Sequence, residues 1–180
     1  YISIRGGVRG VKGVKFMQMT VVLPYAVPGV IIALSMILAF SQPIAGVRLY
    51  NTIWILLIAY IARFMNLGYN NISGAISQVD TSLEEAARIS GASQLRAFKD
   101  VMLPLLKSSL ISSFFLVVAP TISELSLSSL LWSVGNETIG TIVFSAKEEG
   151  RILLTAAIAI ILIILVVVIN LLVNSQTDKD

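Results

Sequence analysis

Glu124 is the residue whose placement most invites chemistry. It interrupts an otherwise uncharged run, Ser108 to Trp132, four residues after Pro120, with Ser126, Ser128 and Ser129 beside it. A carboxylate in hydrocarbon is costly unless water or a cation relieves it, so an ionisable residue there marks a polar path by default. A structural hydrogen-bonding role and a position near the outer surface are the competing readings. A second charge, Arg63, interrupts the run from Leu49 to Tyr69. Placed toward the inner end of that run, it is expected to snorkel to the interface rather than pair with Glu124 at a different depth. Cysteine and histidine are both absent. That excludes a disulfide framework, a thiol nucleophile, a Cys/His zinc site and imidazole acid–base catalysis. No paired carboxylates or nucleophile–base set share a face, so no catalytic, metal or cofactor residues are assigned and the chain is not expected to be an enzyme. No G-x-x-x-x-G-K-[ST] phosphate loop occurs either, so ATP chemistry is left to another chain.

The elements that must position these residues are membrane spans. The 180 residues are 56% hydrophobic and 13% charged, against about 25% charged in soluble domains. Mean hydropathy is +0.88. Four runs approach the roughly 20 apolar residues that a bilayer core requires. They fall at about 17–40, 49–69, 108–132 and 152–173. The expected fold is therefore all-α, a polytopic transmembrane helix bundle forming a single domain over 1–180. With the amino end inside, Arg5, Arg9, Lys12, Lys15, Arg63, Arg88, Arg96, Lys99, Lys107 and Lys179 lie on inner flanks. Arg48, Lys147 and Arg151 lie on outer ones. The positive-inside rule favours this arrangement, and the basic balance of +3 then reflects topology and not nucleic acid. Ser133 to Arg151 faces outward, with Glu137, Glu148 and Glu149 available to an external partner or simply solvated. In the first span, Ala26, Gly29 and Ala33 offer a small-residue face for close packing, and Pro24 and Pro28 favour a kink.

Between the second and third spans, residues 80–104 break the apolar pattern. Asp80-Thr81-Ser82 supplies N-cap candidates, with capping-box spacing from Thr81 to Glu84 and from Ser82 to Glu85. A short helix then runs to Ile89, Gly91 suits its left-handed terminus, and Ser93 caps a second helix from Gln94 to Val101. Pro104 is placed in the first turn of the third span. Ala86 and Ala87 give a thin face, flanked by Leu83, Ile89, Leu95 and Phe98 and by charges at Glu84, Glu85, Arg88, Arg96 and Lys99. Such a helix suits docking into a partner's groove; a solvated amphipathic loop has the same pattern.

Glu85-Ala86-Ala87, then Gly91, Val101 and Leu103-Pro104 resemble the EAA loop of binding-protein-dependent ATP-binding-cassette (ABC) importer permeases, with Val101 where isoleucine is usual. The helix bearing Leu23-Pro24-Tyr25-Ala26-Val27-Pro28-Gly29 is similar to one preceding that loop in the same family. The resemblance covers about residues 17–173. It implies that Glu85, Ala86, Ala87 and Gly91 dock on a cytoplasmic ATP-binding subunit, with Leu103 and Pro104 fixing the return to the membrane. It also implies a periplasmic or lipid-anchored solute-binding protein, a second permease subunit or half, and a bacterial inner-membrane location. Because the chain opens on Tyr1 and the family core has five or six helices, one or two upstream helices are expected outside this sequence. Ser123 to Ser128, with Asn136 to Gly140 and Glu148-Glu149-Gly150, resembles the iron(III) branch; beside Glu124, the hydroxyls of Ser126, Ser128 and Ser129 are expected to line a polar path. Hard oxygen donors suit Fe(III) but equally other polar solutes. The alternatives are a secondary transporter or channel driven through Glu124, and a scaffold that recruits a partner without moving solute.

Overall fold

The computed structural model describes residues 13–177. Arg5, Arg9, Lys12 and Lys179 of the charge count lie outside the described residues. Helices α1 (Val14–Ala26), α2 (Gly29–Phe40), α3 (Ile53–Gln78), α4 (Thr81–Ile89) and α5 (Gln94–Leu105) lead to α6 (Lys107–Ile122), α7 (Ser128–Leu131), α8 (Ile139–Glu148) and α9 (Ile152–Thr177). The described chain is thus all-α. Two helices are long and apolar enough to cross a bilayer alone, α3 and the Ile152–Leu171 part of α9. Counting each bent pair, α1–α2 and α5–α6, as one crossing raises the number to four.

The first span is broken outright, more sharply than a kink, with α1 and α2 meeting at 112°. Pro24 sits inside α1 without breaking it, whereas Pro28 ends the ladder. The residue before a proline is pushed out of the helical region, and Val27 is extended at φ −83°, ψ 132°. The bend also takes Ala26 off the packing face: Gly29 and Ala33 are buried and Ala26 is exposed.

The second helix starts and ends later than the apolar run suggests, continuing through Asn70, Asn71, Ser73 and Ser77 to Gln78. These residues carry no charge, and packing of α3 against α6 holds them helical. The third span ends early, at Ile122, and enters through a 68° bend at Leu106. Pro104 consequently lies near the end of α5, not in the first turn of the span. A π-helical stretch, Phe98–Met102, precedes it. The fourth span matches its apolar run, and the Ile152–Leu171 part of α9 is mostly exposed. Between them, the segment expected as an outer loop contains α8, opened by a capping box between Thr138 and Thr141 and packed on α9.

Two cores hold the bundle. At one end Ile32 and Ala33 of α2, Ile55, Leu56 and Ala59 of α3, and Leu127 and Leu131 close together. At the other, Ile76 of α3 packs with Met102 and Leu106, tying the end of α3 to α5. Between the cores α3 and α6 approach closely through Gly68, where an added Cβ would lie 3.2 Å from Val117.

Candidate functional site

The projecting end of the bundle is the α4–α5 knob. Asp80, and not Thr81 or Ser82, is the cap: its carboxylate accepts from the Ser82 N–H at 2.8 Å. Arg88 stands in the last turn, so both helix ends carry the charge that opposes the dipole. At the carboxy end Ala92 N–H donates to Ala87 O and Gly91 N–H to Arg88 O, both at 3.0 Å. This double closure is a Schellman motif, and it requires Gly91 at φ 89°. Ser93 then caps α5 by accepting from Arg96 N–H at 3.3 Å. The turn is thus fixed by these local bonds and anchored below by the Ile76–Met102–Leu106 cluster.

Exposure sorts the knob residues. Glu85, Ala86, Arg88 and Gly91 are exposed, and Ile89 and Leu95 present large apolar side chains at 88% and 77% exposure. Ala87 is half-buried, and Glu84 is buried, so Glu84 belongs to the foot of the knob and not to its outer charged face. Leu103 and Pro104 are exposed near the α5–α6 bend. Ile89 and Leu95 thus stand exposed among the exposed charges Glu85, Arg88 and Arg96.

Deeper in the bundle lies a polar centre that hydropathy did not disclose. Glu124 is not within a continuous helix: the chain unwinds between Ile122 and Ser128. One Glu124 oxygen accepts from Leu127 N–H at 3.0 Å, and the other stands 3.8 Å from Arg63 Nε. Arg63 therefore pairs with Glu124 instead of snorkelling. The reason is helix length: Arg63 is ten residues into the 26 of α3, about 15 Å from its start, and so near its middle. Its Nη1 donates to Val27 O at 3.2 Å, the carbonyl exposed by the Pro28 break, and its guanidinium lies 5.6 Å from the Phe64 ring centroid. One guanidinium thus bridges two interrupted spans.

Small residues make room for this. A Cβ on Gly29 would stand 2.7 Å from Arg63 Nη1 and 2.9 Å from Ser126 Cβ; one on Gly140 would stand 3.1 Å from Glu124 O. Gly29→Ala is expected to destabilise the purified protein by about 1–3 kcal/mol, the usual cost of overpacking. Gly74→Ala, in open space, provides the comparison in equilibrium unfolding. Ser128 is fully buried, donates to Glu124 O at 2.5 Å and so accepts from Tyr60 OH at 2.6 Å; Ser126 is exposed. Outside the spans, Gly135 N–H donates to the Glu137 carboxylate at 3.1 Å, and backbone donors hold its pKa below the usual value.

A bundle of apolar helices, two of them broken around a partly buried ion pair, with a capped knob at one end, defines a polytopic membrane protein of the transporter class. Residues 3–178 match the family described as "Binding-protein-dependent transport system inner membrane component", and the chain belongs to that family. It is a multi-pass protein of the bacterial inner membrane. The chain is 30% identical over 152 residues to the permease protein PhnV of Salmonella paratyphi A, named for a 2-aminoethylphosphonate transport system, covering 84% of this chain and 57% of that one. It is 29% identical over 150 residues to the putrescine transport system permease protein PotI of Escherichia coli, covering 81% and 51%. Against the ferric transport system permease protein FbpB of Actinobacillus pleuropneumoniae the identity is 28% over 151 residues, covering 84% and 21%. The chain thus spans little more than half the length of the first of these relatives. In fold it is similar to a chain in the crystal structure of a bacterial alginate ABC transporter in complex with its alginate pentasaccharide-bound periplasmic protein. There the TM-score is 0.69 at 20% identity, with 92% of this chain and 65% of that one covered.

Proposed function

We propose that this chain supplies the membrane path of a bacterial ABC importer and takes its energy from a separate cytoplasmic ATP-binding subunit. The observation that carries this is the knob: a turn locked by caps at both ends, with Glu85, Ala86 and Ile89 exposed, built directly on helices that continue into the bundle. A rigid handle of this kind transmits displacement, which a floppy loop does not. Glu85, Ala86, Ala87 and Gly91 form its docking turn, and Leu103 and Pro104 connect it to the α5–α6 bend. Motion delivered there reaches Glu124 through α6, whose unwound end and the Pro28 break give the bundle two places to flex.

In this reading the knob faces the cytoplasm, as the basic flanks require, and Glu124 with Ser126 marks the solute path while Ser128 shapes its turn. A periplasmic solute-binding protein delivers the solute, and a second permease half completes the path. The solute is a small polar species, iron(III) among the candidates, since the site offers only hard oxygen donors and one guanidinium. The gradient-driven alternative has less support, because Arg63 holds Glu124 in an ion pair where a proton-carrying carboxylate would need to cycle.

The test is disulfide or bifunctional crosslinking from Ala86→Cys in the assembled transporter. Efficient crosslinking to the ATP-binding subunit from the cytoplasmic side is expected. Labelling of the introduced thiol from the periplasmic side, or no crosslink to any nucleotide-hydrolysing subunit, would overturn the reading.

A further inference from the structure

We infer that the inner half of the solute path is a polar groove between α3 and α6, lined by amides and hydroxyls and free of ionisable side chains. The groove encloses about 430 Å³ between Asn70, Asn71 and Gln78 of α3 and Ser108, Ser109 and Ser112 of α6. This inference rests on the permease reading above and extends it to residues that neither the coupling loop nor Glu124 accounts for.

Placement carries the argument. Arg63, Asn66, Asn70, Gly74 and Gln78 recur every three or four residues, which puts them on one stripe of α3. The stripe runs about 22 Å, from the ion pair that joins the two broken spans to the end of α3 beside the knob. So many uncharged polar groups on two crossing helices are costly against hydrocarbon and are retained where they face water or protein. Part of the set does bond the helices together: Asn71 Nδ2 donates to Ser109 O at 3.1 Å and to Ser113 Oγ at 3.0 Å. Asn70 and Gln78, however, are exposed. Gly74 is the sharper sign. Glycine inside a helix costs about 1 kcal/mol against alanine, and here a Cβ would meet nothing within 4 Å. Helix packing therefore does not demand this glycine, and the face of α3 that it occupies is open at the floor of the groove. A lining of dipoles without fixed charge passes hydrated solutes of either sign and holds none of them tightly. Selection then falls to the Arg63–Glu124 centre above and to the delivering receptor.

The sequence contains no cysteine, so a single introduced thiol reports alone for this chain. In inside-out vesicles of the assembled transporter, Asn70→Cys and Gly74→Cys should react with membrane-impermeant cationic and anionic methanethiosulfonates at rates within about threefold. ATP with orthovanadate should slow both about tenfold, as a change of conformational state alters access to the groove. Phe114→Cys, on an exposed apolar position of α6, should stay unreactive. Silence at both groove positions, a strong preference for one reagent charge, or rates indifferent to nucleotide would overturn the groove. If those results appear while Ala86→Cys still crosslinks to the ATP-binding subunit, the groove fails and the permease reading stands. If neither holds, both fail.

Discussion

Glu124→Ala is expected to destabilise the purified protein by about 2–3 kcal/mol and to abolish solute uptake. Removing one member of a buried pair leaves the other charge uncompensated, at about 3–5 kcal/mol for full burial. Arg63 and Glu124 side chains are 19% and 11% exposed, which moderates that figure without reducing the pair to a surface bridge. The same substitution removes the acceptor for Leu127 N–H, so the unwound turn loosens as well. Glu124→Gln retains that acceptor and loses only the charge, and should fall between wild type and alanine. The decisive comparison is Arg63→Ala with Glu124→Ala. If the two are coupled, the double variant loses less than the sum of the singles in equilibrium unfolding; additive losses would show that the pair does not act as a unit.

Gly91→Val should produce the opposite phenotype: a normally inserted protein that no longer converts ATP hydrolysis into flux. Valine at φ 89° meets steric cost of about 1–2 kcal/mol, and opening the turn breaks the Ala92–Ala87 and Gly91–Arg88 bonds together. The strain is confined to the knob, far from the Ile32–Ile55–Leu131 core, so membrane abundance should stay near wild type. Solute flux per ATP hydrolysed should fall at least about tenfold, because hydrolysis would continue while displacement no longer reaches the bundle. Ala86→Trp, which adds bulk on an exposed face without backbone strain, should uncouple in the same way. Normal coupling in both variants would remove the knob from the mechanism.

The knob was the most legible element because its signals are local. A cap, a left-handed glycine and a second cap each act within a few residues of themselves; of the three cap candidates Asp80, Thr81 and Ser82 it is Asp80 that caps, and Pro104 moves from the first turn of the third span to the end of α5. The two long apolar helices, α3 and α9, were legible for a similar reason, since apolar length is set by the bilayer. The breaks were not. Leu125, Leu127, Leu130 and Leu131 keep the stretch after Ile122 apolar on average, so a composition window runs across a turn that Ser123 and Glu124 open. The Arg63–Glu124 pair was hidden by a depth argument built on the wrong end of α3. Asn70, Asn71 and Gln78 look like loop residues in isolation and are helical only because α6 packs alongside. Their spacing with Asn66 and Gly74 was nonetheless a helical stripe, a signal present in the sequence and masked by its polarity.

Reconstitution in proteoliposomes tests the central claim most directly. The permease and the proposed second half would be inserted with and without the ATP-binding subunit, and uptake of iron(III) and of a panel of other small polar solutes followed with the cognate binding protein present. Uptake of one such solute that requires both ATP hydrolysis and an intact Gly91 turn is the expected result. Uptake that persists without the ATP-binding subunit, driven by an ion gradient alone and lost with Glu124, would contradict it.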